Sequence, residues 1–226
     1  MINLKDYVLE SMFDSEKTVS KSAITEIKNE VKQWASTHIT KQRGRFKMTV
    51  KDGNVILEYA NFFSVSINFA DIPEYVKFKI DGSNGGFLYL YNVEDRFMEK
   101  FVDSEFGRLD IVSGTAKTVG EVQPCSIFEL IANYQPKCNV YDFSGFKNCD
   151  IDRLLIDLPK RDVSINLDGL KMNYIDISAP GSFSDEKSFP VLTIDGKCMA
   201  DEALLTRVKV KGLPKNIKVN REDLLI

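Results

Sequence analysis

The residues of this chain that could do chemistry are a single histidine, four cysteines and several aspartates that precede glycines. His38 falls on a predicted helix, whereas a Ser-His-Asp or Cys-His relay requires the histidine to meet a nucleophile held by another element. A lone histidine on a helix face is more often a capping or surface residue. We therefore assign no catalytic residue from the sequence.

Three aspartates follow short apolar strands and could form a row of carboxylates. These are Asp142, Asp168 and Asp195, and the last two directly precede a glycine. If their coils stack in register, the row could bind Ca²⁺ or act as an acid/base pair. Stacked like charges cost energy, however, and aspartate before glycine is a common turn residue. A structural function in turns is therefore the favoured interpretation.

The cysteines are too few and too irregularly spaced for a disulfide framework in a chain of 226 residues. No pair has C-x-x-C spacing, so a zinc site is not favoured. We predict reduced, mostly buried thiols that pack as small hydrophobic groups, with no metal and no cofactor. The four are Cys125, Cys138, Cys149 and Cys198.

A glycine-rich stretch at residues 82–86 has the flexibility to approach a phosphate group. It lacks the G-x-x-x-x-G-K-[ST] pattern, and no helical pattern opens directly after it. A phosphate cradle needs backbone amides aimed by the N-terminus of such a helix. The stretch is therefore predicted to be a turn.

Composition is that of an ordinary globular protein, with 43% hydrophobic and 28% charged residues and a net charge of −3. A nucleic-acid partner is not expected, because such binding requires clustered lysines and arginines. No apolar run is long enough to span a membrane, so no membrane association is expected. Lys5 and Asp6 interrupt the position of a secretory leader, which favours the cytoplasm.

The elements that would position these residues begin with an N-terminal helical region at residues 1–42. Apolar residues recur at three- and four-residue steps through Ile24, Ile27, Val31 and Trp34. That spacing predicts an amphipathic helix of about five turns over residues 20–41. A basic, glycine-bearing segment at residues 40–45 leads out of it.

Residues 43–123 are predicted to be an antiparallel β-rich region, because the apolar period changes from 3.6 to 2. Asp52-Gly53 between two alternating runs is a strong hairpin signal. Further alternating runs suggest an antiparallel meander with one buried face. A short helix is expected from about Glu94, and a second over residues 127–134, where Ile127 and Leu130 are three residues apart.

Residues 124–226 form a repeat-like β-rich region. Similar strands occur at residues 140–145, 165–169, 192–196 and 217–220, and the glycines that end the first three are spaced by 24 and then 27 residues. A period of about 20 to 29 residues is typical of strand-based solenoids such as leucine-rich repeats. The predicted fold class is therefore α+β, mostly β, with an irregular solenoid-like, leucine-rich-like C-terminal half. An ordinary β-sandwich is the alternative.

The N-terminus, from Leu4 through Tyr7 and Glu10 to Ser11, resembles the capsid-targeting peptide of internal proteins in T-even-type bacteriophages. In that family the order is an aromatic or apolar residue, two polar residues, an aromatic residue, an apolar residue, any residue, glutamate and a small residue. Val8 departs from the usual isoleucine or leucine. The resemblance implies a targeting peptide at residues 1–10, cut after Glu10 so that the mature chain begins at Ser11.

The repeat half is similar in layout to tailed-bacteriophage proteins that carry degenerate leucine-rich-like coils after a helical segment. An apolar residue followed by proline precedes several strands, as at Leu158-Pro159 and Phe189-Pro190, but the asparagine ladder of standard leucine-rich repeats is missing. The resemblance implies a phage origin and packaging with the genome. It implies no activity.

Together these features predict a non-enzymatic bacteriophage protein that binds another protein through its repeat surface, in the host cytoplasm or the virion interior. The partner would be a host, defence or virion protein. Alternatives are a structural virion component, or a histidine-independent enzyme acting through carboxylates such as Asp168 and Asp195. The predicted interface is formed by outward residues of the four repeated strands, Tyr141, Asn166, Thr193 and Lys218.

Overall fold

The computed structural model describes residues 21–135 and 138–222, which form one helix and a stack of short β-strands. The helix is α1 (Lys21–His38), and short 3-10 turns occur at Phe97–Lys100, Ser144–Phe146 and Glu186–Ser188. The strands are β1 (Ile39–Gln42), β2 (Arg45–Lys51), β3 (Asn54–Ala60), β4 (Ser64–Asn68), β5 (Val76–Asp81), β6 (Phe87–Tyr91), β7 (Phe106–Ile111), β8 (Ser126–Asn133), β9 (Asp150–Asp157), β10 (Val163–Asn166), β11 (Met172–Ser178), β12 (Val191–Asp195), β13 (Glu202–Thr206), β14 (Lys209–Lys211) and β15 (Lys218–Arg221).

The strands form three sheets, and most pairs are parallel. The largest has nine strands in the order β1-β4-β6-β7-β8-β9-β11-β13-β15, and two three-stranded sheets have the orders β2-β3-β5 and β10-β12-β14. Apart from β2, each strand of a small sheet is followed along the chain by a strand of the large one, as β10 is by β11. The chain is therefore a mostly β, solenoid-like stack with an N-terminal helix.

The N-terminal end of the stack is covered by antiparallel strands and by α1. β1 pairs antiparallel with β4 in the large sheet, and β2 pairs antiparallel with β3 in a small one. The predicted helix is confirmed, and it buries Ala23, Ile27 and Val31. The Trp34 Nε1 donates a hydrogen bond of 3.2 Å to the Ala70 carbonyl. α1 and these two antiparallel strands therefore occupy the N-terminal end of the stack.

The Asp52-Gly53 hairpin is confirmed, because β2 and β3 pair across it and both turn residues have positive φ, 48° and 72°. The antiparallel meander predicted after it is wrong. β3 pairs in parallel with β5, and β4 pairs in parallel with β6. An alternating burial pattern arises in parallel and antiparallel strands alike, so the pattern identified the strands without their direction.

Of the two short helices expected from the sequence, the structure contains the first as the 3-10 turn at Phe97–Lys100. The second is wrong, since residues 126–133 form strand β8. The alternation of buried apolar residues with others in β8 is interrupted at Phe128 and Glu129, so the buried Ile127 and Leu130 are three residues apart. That spacing imitates one helical turn.

The repeated strands lie in register, with a first offset that equals the glycine spacing and a second that exceeds it. Asp142 pairs with Asn166 and Asn166 pairs with Asp195, so the structural repeats are 24 (166 − 142) and 29 (195 − 166) residues long. The fourth predicted repeat, residues 217–220, lies in the nine-stranded sheet as β15 rather than beside β12. β14 takes that place. The pairing establishes a solenoid-like stack, while its leucine-rich type remains a prediction.

The hydrophobic core continues through the stack from α1 to the last coil. The nine-stranded sheet continues from β7 to β8 across residue 124, where the sequence predicted a change between two β-rich regions. In the first coils the core is aromatic, and Phe78 and Phe101 have ring centroids 5.4 Å apart. None of the helices in the described ranges is both long and apolar enough to cross a membrane.

Candidate binding surface

Outward side chains of the nine-stranded sheet form a row across seven adjacent strands, which we call the charged row. Strand register places each member beside the next, because one coil lies directly over its neighbour. The charged row consists of Phe87, Arg108, Glu129, Arg153, Tyr174, Glu202 and Lys218.

Alternating charge and aromatic contacts hold the charged row together. Glu129 is only 8% exposed, and its two carboxylate oxygens contact Arg108 Nε at 3.1 Å and Arg153 Nη1 at 3.0 Å. The Arg108 guanidinium lies 4.5 Å from the Phe87 ring centroid, and that of Arg153 lies 5.3 Å from the Tyr174 ring. These contacts limit the rotation of long side chains, so the surface is ordered before any partner arrives.

A second outward row lies two residues further along each strand, and we call it the mixed row. Its members are Tyr89, Asp110, Ile131, Leu155, Asp176 and Leu204. All are half-buried, and three are aliphatic residues on a face that points away from the core. Such a row offers apolar contact area between charged neighbours, a composition found at protein interfaces.

Asp110 is the mixed-row residue with the most perturbed titration. Burial raises the pKa of its carboxyl to about 6, the hydrogen bond from Asn133 opposes this rise, and the charge of Asp157 adds to it. Asn133 Nδ2 donates to Asp110 Oδ1 at 2.6 Å. Burial likewise raises the pKa of Asp176, with a further contribution from Asp157. This part of the face therefore changes charge in mildly acidic solution.

A groove of about 910 Å³ crosses the coils near the start of the large-sheet strands. Its walls come from equivalent positions in successive coils, so it is parallel to the stack. Phe128 and Met199 line the groove and are 49% and 53% exposed. The residues that line it are Gly82, Ser83, Gly85, Glu105, Phe106, Gly107, Ser126, Ile127, Phe128, Asp150, Ile151, Asp152, Lys171, Met172, Asn173, Met199, Ala200, Asp201 and Asn216.

Backbone packing at one end of the groove requires glycine. A Cβ on Gly107 would lie 2.7 Å from the Gly82 carbonyl oxygen and 2.7 Å from Gly85 Cα. Real Cβ atoms do not approach backbone that closely. The glycine-rich stretch singled out in the sequence therefore forms the close contact of a turn with the next coil, and it lines the groove with backbone.

Two cysteines lie immediately before groove residues. Cys125 precedes Ser126, Cys149 precedes Asp150, and their sulfur atoms are 3.0 Å apart. All four cysteines are free thiols, and only Cys125 is partly exposed, as predicted. The hydrogen bond with Cys149 and burial both raise the pKa of Cys125. The pair links neighbouring coils beside the groove.

The structure does not bring the four predicted interface residues together. Asn166 and Thr193 lie on the small sheet, in β10 and β12, and Asn166 Oδ1 accepts a hydrogen bond from the Asp168 amide at 2.9 Å. Tyr141 is half-buried and packs against the core and the Tyr134 ring. Lys218 belongs to the charged row instead, 2.7 Å from Glu202. Treating them as one face was wrong because the fourth repeat lies in another sheet.

The aspartates of the repeats do not stack on one another. Asp142 pairs with Asn166 and caps its own turn, accepting a hydrogen bond from the Ser144 amide at 2.9 Å. Asp168 Oδ1 accepts one from the Lys197 amide at 2.9 Å. The turn interpretation is confirmed for these two residues. Within residues 21–135 and 138–222, no group of three His, Cys, Asp or Glu residues is placed to hold a metal ion.

Glu10 and Ser11, the predicted processing site, lie outside the described residues. His38, by contrast, lies at the end of α1, stacked on the Trp34 ring with centroids 5.1 Å apart. The charged row was not predicted from the sequence. Its signal was the recurrence of Arg108, Glu129 and Arg153 at intervals of 21 and 24 residues, close to the coil period but outside the aspartate-glycine strands.

Comparison of the chain with protein-family models, curated proteins and solved structures finds no match. The surface of this chain is therefore the basis for inferring its function. That surface offers two outward rows on a large sheet and one groove that crosses the same strands.

Proposed function

We propose that the chain is a non-catalytic binding protein that recognises another protein through the outward face of its nine-stranded sheet. The observation that carries the proposal is the pair of contiguous rows, one alternating in charge and one containing Ile131, Leu155 and Leu204. Solenoid-like stacks provide broad faces whose outward residues vary without disturbing the core. A face of this kind suits a macromolecular partner better than a small molecule.

The size of the face agrees with a protein partner. Strands lie about 4.8 Å apart, so the six mixed-row members span about 24 Å, the scale of a protein interface. Apolar residues between ordered charges provide contact area, while the charges favour one partner over others. Phe63, which is 60% exposed, extends the apolar area beyond Phe87, with ring centroids 6.0 Å apart.

Capture of a partner by variants of the two faces tests the proposal. Replacing Leu155 and Leu204 with lysine places two charges in the apolar part of the mixed row, and we expect loss of capture from infected-cell lysate. Thr193→Lys makes a similar change on the small sheet and should leave capture intact. Equal capture by the wild type and both variants, or loss of capture only with Thr193→Lys, would show that the partner does not bind the large-sheet face and would overturn the proposal.

We further propose, from the N-terminal resemblance to capsid-targeting peptides, that the protein is packaged in a phage head and acts on a host or defence factor after injection. Mass spectrometry of purified virions tests this directly. A chain that begins at Ser11 is the expected result, and its absence from virions would refute packaging. A copy number as high as that of shell proteins would indicate a structural virion component instead.

A further inference from the structure

We propose that the 910 Å³ groove near the start of the large-sheet strands binds an extended, basic peptide segment of a protein partner. Phe128 and Met199 would each contact one apolar side chain of that peptide. This inference rests on the proposed protein-binding function and specifies the kind of segment recognised. It concerns a site distinct from the outward rows, because groove residues precede the row residues along each strand.

The length of the groove fits a peptide in extended conformation. Its lining comes from seven successive coil positions, from Gly82 to Asn216. Six steps of about 4.8 Å give a length of about 29 Å, which about nine extended residues would span. The groove is open along one side, so a continuous chain can enter without threading.

The two exposed apolar side chains set a spacing for the ligand. Phe128 and Met199 lie on the third and sixth of the seven positions, three steps or about 14 Å apart. In an extended chain residues four apart are separated by about the same distance and point to the same side. The ligand is therefore expected to carry apolar residues at i and i+4, both facing the groove.

The charge of the groove determines the residues between those anchors. Glu105, Asp150, Asp152 and Asp201 line it, against the single lysine Lys171. Across the described chain none of these carboxylates belongs to an ion pair. Asp152 accepts only a neutral hydrogen bond from Asn173, at 2.7 Å.

This arrangement contrasts with the charged row, where Glu129 is neutralised by two arginines. Unpaired carboxylates along a groove attract a cationic chain and speed its association. Asp150 and Asp152 lie between the two anchor positions along the stack. A lysine or arginine at i+2 of the ligand points to the same side as the anchors and reaches them.

Fluorescence anisotropy with labelled peptides tests the inference. The probe is a peptide of about nine residues, with two leucines four positions apart and lysines at the intervening and flanking same-side positions. A matched probe carries glutamates in place of the lysines. We expect the lysine probe to bind and the glutamate probe to bind at least about tenfold more weakly, a difference that added salt reduces.

Variants locate the binding. Asp150→Asn with Asp152→Asn keeps side-chain shape and the acceptor for Asn173, and should weaken the lysine probe about tenfold. Phe128→Ser should weaken it as well, while Phe46→Ser, at an exposed phenylalanine of β2 that lies outside both the groove and the outward rows, should not. Equal binding of the two probes, or binding unaffected by the groove variants, would overturn the inference, as would no binding of the lysine probe at any salt concentration.

The outcome remains separate from that of the proposed function. If the Leu155 and Leu204 variant loses partner capture but the lysine probe does not bind the wild-type chain, only the groove inference fails. If neither the face variant nor the groove variants affect capture, both fail. Retained melting temperature and circular dichroism confirm that each variant is folded.

Discussion

Among single residues, Glu129 shows how this fold keeps a carboxylate almost out of water. It is the centre of the charged row, and both of its oxygens contact arginines from neighbouring strands. Burial of a charge is costly unless paired hydrogen bonds replace those to water. Removing one partner of such a set therefore costs more than the net contribution of the pair.

Glu129→Gln is expected to lower the free energy of unfolding by about 2 kcal/mol, because Arg108 and Arg153 lose a shared anion while remaining partly buried. The matched change Glu202→Gln removes the partner of Lys218 in the same row, where the Glu202 side chain is 41% exposed and that of Lys218 is 68% exposed. It should cost less than about 1 kcal/mol. Urea unfolding measures the free energy of unfolding of both variants. Equal decreases would show that the two ion pairs of Glu129 contribute no more to stability than the exposed pair of Glu202.

Asp110 makes stability depend on pH in the direction opposite to that of a salt-bridged carboxylate. Burial raises its pKa to about 6 from an ordinary 3.8, so between those values the folded chain holds the proton more tightly than the unfolded chain. Its contribution is therefore favourable at low pH and is lost as pH rises through about 6.

Asp110→Asn removes this dependence while keeping an acceptor for Asn133. We expect the variant to be more stable than the wild type at about pH 8 and the advantage to disappear at about pH 4. Asp162→Asn is the control, because Asp162 is exposed and its Oδ1 accepts from the Val191 amide, as an asparagine oxygen can. A stability difference for Asp110→Asn that is constant across this range would refute the assignment.

Within the elements, the turns between strands depend on close approach of neighbouring coils. Gly145 is the clearest case, because a Cβ there would overlap the Gly120 carbonyl oxygen of the preceding coil. Gly145→Ala is expected to cost about 3 kcal/mol by overpacking. Gly85→Ala, where nothing lies within 4 Å but φ is +81°, should cost only about 1 kcal/mol. Thermal unfolding distinguishes the two, and a smaller loss at Gly145 would contradict the steric argument.

Cys125 and Cys149 connect two adjacent coils across a sulfur–sulfur distance of 3.0 Å. Oxidised glutathione should convert them to a disulfide, with two thiol protons and two electrons leaving the protein as the glutathione disulfide is reduced to two thiols. The closed loop of 24 residues (149 − 125) should add about 3 kcal/mol to stability. Mass spectrometry and thermal unfolding check this, with Cys125→Ser as control. An unchanged mass after oxidation would show that the pair cannot close.

Sequence patterns predicted the elements better than their pairing. Helix α1 and the Asp52-Gly53 hairpin both follow from local periodicity and turn chemistry. Strand direction does not, because alternate burial is the same in parallel and antiparallel sheets. The helix predicted at residues 127–134 failed where Phe128 and Glu129 interrupt the alternation of β8.

At the level of the whole molecule, the candidate surfaces form only when the coils stack. Because the coils differ in length, the residues of each surface do not recur at a constant interval in the sequence. Neighbouring members of the charged row are separated by 21 residues between Arg153 and Tyr174, but by 28 residues between Tyr174 and Glu202. A fixed period therefore cannot align it. The solenoid-like architecture was predictable from the short repeats, whereas the face that each repeat presents was not.

The stack should be least stable at its C-terminal coil. α1, β1 and β2 cover the N-terminal end, whereas in the described chain β15 pairs only with β13 and all four of its residues are exposed. Each coil of a stack contacts mainly its neighbours, so local opening should begin where one neighbour is missing. Amide hydrogen exchange should then be fastest in β15, slower in β13 and slowest in β7, β8 and β9.

A variant of the covering helix provides the second half of that experiment. Val31→Ala removes buried methyl groups where α1 packs on the first coils, and should cost about 2 kcal/mol. If coils open largely from the ends, the variant accelerates exchange in β4 and β6 more than in β13 and β15. Uniform acceleration throughout the sheet would instead show that the stack unfolds as one cooperative unit. The outward face of the nine-stranded sheet would then open only with the entire protein.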